Sequence, residues 1–135
     1  MTPRKLKIET VEKSDYRTYL KKAADFHDIM LKAFDSANWT AAGLNAVHCA
    51  ISCCDALLVF HLGVRSAGED HMPAADLLLS LPQKLTGEVV AFKRIVAKKN
   101  LIAYENRDFH RAEALEITKM AERFYDWATS NLPVR

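Results

Sequence analysis

Arg65 and His71, with five residues between them, are the pair in this sequence best suited to phosphate chemistry. A guanidinium fork can hold a phosphate through two hydrogen bonds, and an imidazole can move a proton at neutral pH. Gly63 and Gly68 flank the Arg and let backbone approach a ligand closely. His71 falls just before Pro73, where a short helix should begin, and helix N-termini favour anions. The structural alternative is an ordinary turn in which Arg65 pairs with Glu69 or Asp70.

A second group is a polar stripe. Asn45, His48, Ser52 and Asp55 fall within about 80° of one another on a helical wheel, inside an otherwise apolar segment. A carboxylate placed among Cys54, Ala56, Ile51 and Leu58 needs a partner or must take up a proton. It is read as an acid supporting a site between helices. Its structural counterpart is a hydrogen-bonded core pair, or a dimer seam satisfied by His48 and Asp55.

A third is the basic run Lys93, Arg94, Lys98 and Lys99, followed by Asn100 and Tyr104. As a ligand surface, Lys98, Lys99, Asn100 and Tyr104 would track phosphates and stack a base; otherwise they form a solvated helix face. Cys49 and Cys53 are one turn apart, but no second Cys/His pair completes four ligands, so the expectation is core thiols and no metal. The sequence contains no phosphate-cradling Gly-rich loop, Ser-centred elbow or HExxH, and no cofactor is expected.

These residues must be positioned by helices. Tyr16, Tyr19, Leu20, Ala23, Phe26, Met30, Ala33 and Phe34 recur at three- and four-residue steps, predicting a first helix capped by Ser14 and Asp15. Asp35–Asn38 breaks it. The segment from about Trp39 to Leu62 is apolar nearly all round, as a helix central to a bundle would be, and Gly63 stops it. A short third helix runs from Pro73 through Leu77–Leu79. A fourth spans Thr86 to about Tyr104, with Val89, Phe92, Val96 and Ala103 inward. Asp108 is placed as the cap of the last helix, whose stripe is Ile117, Met120, Ala121, Phe124, Trp127 and Ala128.

The expectation is an all-α, antiparallel up-and-down bundle of four long helices plus one short helix. Residues 14–135 form that domain, preceded by a flexible arm to about Lys13, and no strand alternation is seen.

Composition agrees with one ordinary domain. The chain has 135 residues, half of them apolar, and a formal charge of +2, too small an excess to announce a nucleic-acid binder without a local patch. Met1 to Asp15 has no apolar core of a secretory signal, and no charge-free apolar run reaches a membrane span. Three closely spaced cysteines without such a signal point to reduced thiols and the cytoplasm.

Ala46–Leu58 (AVHCAISCCDALL), Gly63–His71 (GVRSAGEDH), Lys99–Tyr104 (KNLIAY) and Ala121–Phe124 (AERF) resemble a subgroup of prokaryotic HEPN domains, over about Tyr16 to Leu132. The resemblance implies a helical bundle, frequently a homodimer. It implies membership of toxin–antitoxin or other defence systems, sometimes with a nucleotidyltransferase antitoxin as partner. Active members are metal-independent ribonucleases with an Arg-x4–6-His motif, commonly written Arg-Asn-x-x-x-His, near the start of a late helix.

At the matching place this chain has Lys99 for the Arg and Tyr104 for the His, and only Asn100 agrees. Lys keeps the charge but not the fork, and Tyr is a poor base at neutral pH. Arg65 and His71 satisfy the spacing between the second and third helices instead. The expected activity is therefore directed at RNA or a nucleotide, with His71 moving protons, Arg65 holding phosphate, and Asp55 and His48 in support. The alternative is an inert dimeric interaction module.

Overall fold

The computed structural model describes residues 8–68, 71–82 and 86–133. The apolar spacing of the sequence becomes helix throughout: α1 (Tyr16–Asp35), α2 (Trp39–Leu62), α3 (Met72–Leu78), α4 (Thr86–Ala97), α5 (Lys99–Tyr104) and α6 (Arg111–Ser130). The chain belongs to the all-α class, as its periodicity requires.

The segment from Ala42 to Val59 is the interior rod. Its neighbours α1 and α6 pack along it, and α3, α4 and α5 complete the surround. By length and composition α2 could cross a membrane, with a mean hydropathy of 1.6. Yet 72% of that stretch is buried inside the molecule, so its apolar surface is taken up by other helices of the same chain. Cys49, Cys53 and Cys54 lie in this core as free thiols. Burial pushes the Cys53 and Cys54 thiols well above the ordinary range, which keeps them protonated and inert.

Local signals decide the helix ends unevenly. Tyr16 begins α1 where Ser14 and Asp15 suggested, although Asp15 makes no side-chain capping bond. Gly63 ends α2 in the left-handed conformation, φ 69°, as only glycine does without strain. The cap of α6 is His110 rather than Asp108. The His110 ring accepts from the backbone N–H of the third helical residue, and the Glu113 carboxylate accepts from the His110 backbone N–H at 3.1 Å.

The expected fourth helix is broken at Lys98 into α4 and α5. Its inward residues are Val89, Phe92 and Ile95, then Ile102, while Ala103 is exposed. The bend seats Ile102 and Phe109 against Gly43 of α2. A Cβ on Gly43 would come within 3.1 Å of Ile102 Cδ1 and 2.7 Å of Phe109 Cε2. Gly43, with no side chain, leaves room for Ile102 and Phe109 at this approach.

Residues 8–13, read from sequence as part of a loose arm, are instead structured. β1 (Ile8–Thr10) pairs antiparallel with β2 (Val64–Ser66), and a 3-10 turn, Lys13–Asp15, leads into α1. Glu9 stands directly opposite Arg65 in this register. Three-residue strands are too short to display the alternation that identifies a strand in sequence.

Candidate functional site

Between Ala41 and Val59, every residue of α2 is buried except Ala41, Leu44, Asn45, His48 and Ile51. At 100° per residue these five lie within an arc of about 120°, so α2 carries one incompletely covered face. Asp55 lies on the same face one and two turns further on, yet it is only 6% exposed. The difference is the β1–β2 strand pair, which covers this end of the stripe and brings Arg65 onto Asp55. The stripe is thus open over its first half and covered over its second.

At the covered end, Arg65 Nη2 donates to Asp55 Oδ2 at 3.2 Å, and Nη1 donates to Glu9 Oε2 at 3.3 Å. The guanidinium also lies over the Tyr19 ring of α1, 5.2 Å from its centroid, a cation–π arrangement. Arg65 Nε is buried and has no acceptor among the described residues.

Burial raises the Asp55 carboxyl above its ordinary value. The Arg65 charge and hydrogen bond, and then the Lys22 charge, oppose that rise. Burial alone would lower the Arg65 guanidinium, but Asp55 outweighs it and holds Arg65 above its usual value. The Tyr19 phenol is raised, first by burial, with the Arg65 charge acting against it. The cluster is therefore a cation clamped between a buried and an exposed carboxylate and packed on an aromatic face.

At the open end, His48 stacks on Phe26 of α1, with ring centroids 5.2 Å apart. Burial lowers the His48 imidazole, and the Lys99 charge lowers it further, so the ring is neutral at pH 7. Asn45 is satisfied locally, donating to the Ala41 carbonyl at 2.8 Å. Ile29, 47% exposed, extends the α1 side by one turn beyond Phe26.

The structure brings Asp55 and Arg65 together in an ion pair at 3.2 Å. It does not add His48 to them: seven residues along α2 separate it from Asp55 by about 10 Å. His71 sits at the N-cap of α3, half-buried, where its carbonyl accepts from Ala74 N at 3.2 Å. Glu69 and Asp70, the alternative partners suggested for Arg65, lie outside the described residues.

The expected basic patch is divided. Lys99 acts on His48, while Lys98 lines a small cavity of about 40 Å³ with Phe109, Glu113 and Glu116. Asn100 and Tyr104 are both exposed, Tyr104 by 77%, and the Asn100 carbonyl accepts from Glu105 N at 3.3 Å.

The sequence reading missed Glu9, Tyr19 and Lys22 as members of the Arg65 cluster. Tyr19 and Lys22 are one turn apart on α1, a spacing visible in sequence; Glu9 carried no signal, because its role depends on strand pairing. Among the described residues no three His, Cys, Asp or Glu side chains gather as a metal-holding group.

No protein-family model matches the sequence, and no curated protein matches it significantly. Among solved structures, the chain is similar to the protein TT1696 from Thermus thermophilus, with a TM-score of 0.72. The likeness covers 87% of this chain and 98% of that one at 19% sequence identity. At that identity it establishes a shared fold.

Proposed function

We propose that this protein is a HEPN-type helical module of a prokaryotic defence or toxin–antitoxin system, cytoplasmic and directed at a phosphate-bearing ligand, RNA or a nucleotide. The observation that carries this reading is the Arg65 guanidinium, oriented by the buried Asp55 on the loop that leads to His71. An Arg preorganised by a carboxylate loses little freedom when it takes up a phosphate. In cleavage, the 2′-hydroxyl would attack the adjacent phosphorus and displace the 5′-oxygen; His71 would take the hydroxyl proton and return it to the departing oxygen while Arg65 steadies charge on the phosphate. A homodimer and a nucleotidyltransferase-type partner belong to this reading and rest on the family resemblance alone.

The test is incubation of purified protein with mixed RNA in EDTA. Cutting that disappears in both His71→Ala and Arg65→Lys is the expected result. Intact RNA at high protein concentration, or equal cutting by His71→Ala, would overturn the ribonuclease mechanism.

A second reading is favoured by a specific observation: Glu9 already occupies the outer arm of Arg65, and Lys99 and Tyr104 replace the Arg and His of active relatives. In that reading the bundle is an inert interaction module. It predicts a stable dimer or heteromeric complex without turnover, and sedimentation as a monomer with no partner recovered would count against it.

A further inference from the structure

The N-terminal strand has an odd combination of properties. All three of its residues are exposed, so it contributes no core side chain, and Ile8 itself is 48% exposed. Yet its register places Glu9 opposite Arg65, and the two side chains meet in an ion pair at 3.3 Å. Three pairs of facing residues hold the strand, and an exposed element without buried apolar contacts opens at low cost. Val11 is the anchor just beyond it. Val11 is partly buried against the core, and its N–H donates to the Gly63 carbonyl at 2.9 Å.

The electrostatics of the cluster give Glu9 a distinct part. Asp55, Glu9, Arg65 and Lys22 act on one another, and their formal charges cancel. With Glu9 withdrawn, the four groups carry a net positive charge, and the inner arm of Arg65 remains on Asp55. Arg has five N–H donors. Here two of its nitrogens donate to single carboxylate oxygens, and Nη1 keeps a second N–H beyond the one that Glu9 takes. The outer arm is thus a place for an oxyanion that presents more acceptors than one carboxylate oxygen does. It lies at the covered end of the α2 face whose other end is open at His48.

We propose that the outer arm of Arg65 is an anion-binding subsite for a phosphate group, that Glu9 occupies it as an intramolecular stand-in, and that β1 is a displaceable cover hinged at Val11. This rests on the reading of Arg65 as the phosphate holder. It adds a closed state in which the chain shields its own site, and it identifies Glu9 as a positioning residue for the cover. A ligand phosphate and the Glu9 carboxylate compete for Nη1, so binding releases the strand.

The experiment uses the full chain and three variants: Glu9→Gln, which keeps the shape of the side chain; Glu12→Gln, an exposed acid nearby that controls for net charge; and Arg65→Lys. Binding of a fluorescein-labelled single-stranded RNA and of ATP is titrated for each by anisotropy and by thermal shift, with circular dichroism verifying the fold. Amide exchange of residues 8–10 is followed in the same samples.

Glu9→Gln is expected to bind about tenfold more tightly than the natural chain. Glu12→Gln should match the natural chain, and Arg65→Lys should bind more weakly. Ligand should speed exchange in β1. A preference for RNA over ATP, or the reverse, identifies the source of the phosphate.

Equal affinity of the natural chain and Glu9→Gln, with β1 exchange unchanged by ligand, would overturn the cover while leaving Arg65 as the phosphate holder. Absence of binding by every variant, Glu9→Gln included, would remove both readings.

Discussion

The two ends of the polar stripe on α2 share a helix and a face but not a fate. At the Asp55 end the strand pair lays Arg65 across the stripe, and the carboxylate is buried, paired and packed beneath an aromatic-stacked cation. At the His48 end no strand crosses, and the ring is half-covered by Phe26 with a lysine nearby. One surface therefore holds a paired charge at one end and a neutral, half-buried imidazole at the other. The difference shows that the chemistry of a helix face is set by what crosses it as much as by the residues on it.

The contrast breaks most sharply at Arg65. Arg65→Ala strands the Asp55 carboxylate in a buried position and is expected to cost about 3 kcal/mol at neutral pH, read by urea denaturation. His48→Ala, at the open end, removes one half-buried ring stack and should cost about 1 kcal/mol. Similar costs at both positions would mean that the strand pair does not distinguish the two ends.

A second effect, smaller, is the pH dependence contributed by Asp55 at the covered end. The Asp55 carboxyl lies above its ordinary value of 3.8 in the folded chain, so folding favours its protonated form. Its contribution to stability is full below the unfolded value, declines as pH rises through the raised folded value, and is level beyond it. Asp55→Asn should flatten that decline in urea midpoints measured from about pH 3 to about pH 6. An unchanged slope would place the titration elsewhere.

The smallest effect sharpens the open end. Lys99→Gln removes one of the two influences that lower His48 and leaves burial in place. The imidazole should move part of the way back toward 6.5, followed by the proton shifts of its ring in an NMR titration. The sign matters for stability as well. With its folded value depressed, His48 weakens the fold as pH falls below the unfolded value, and Lys99→Gln should soften that loss.

Much of the architecture is legible in residue order because it is written in local periodicity. The stripe of α1, the all-round apolarity of α2 and the glycine stop at 63 each depend on neighbours three or four positions away. The split of the fourth helix was not legible. Val96 and Ala103 fit an inward stripe as well as Ile95 and Ile102 do, and the choice is made by Gly43, whose bare backbone admits Ile102 and Phe109. The cap of the last helix was misplaced for a related reason. Asp108 and His110 can each accept from a helix N-terminus, and the return bond from Glu113 selects His110.

Residue types alone establish that Asp55 and Arg65 need partners, since a carboxylate in an apolar helix cannot stay ionised alone and a guanidinium cannot shed its charge. Packing chose the answers: that the two meet each other, that Glu9 supplies the second acid, and that Tyr19 supplies the face beneath. Those choices depend on a strand register joining residues far apart in the chain, where periodicity carries no information and only the folded molecule fixes who meets whom.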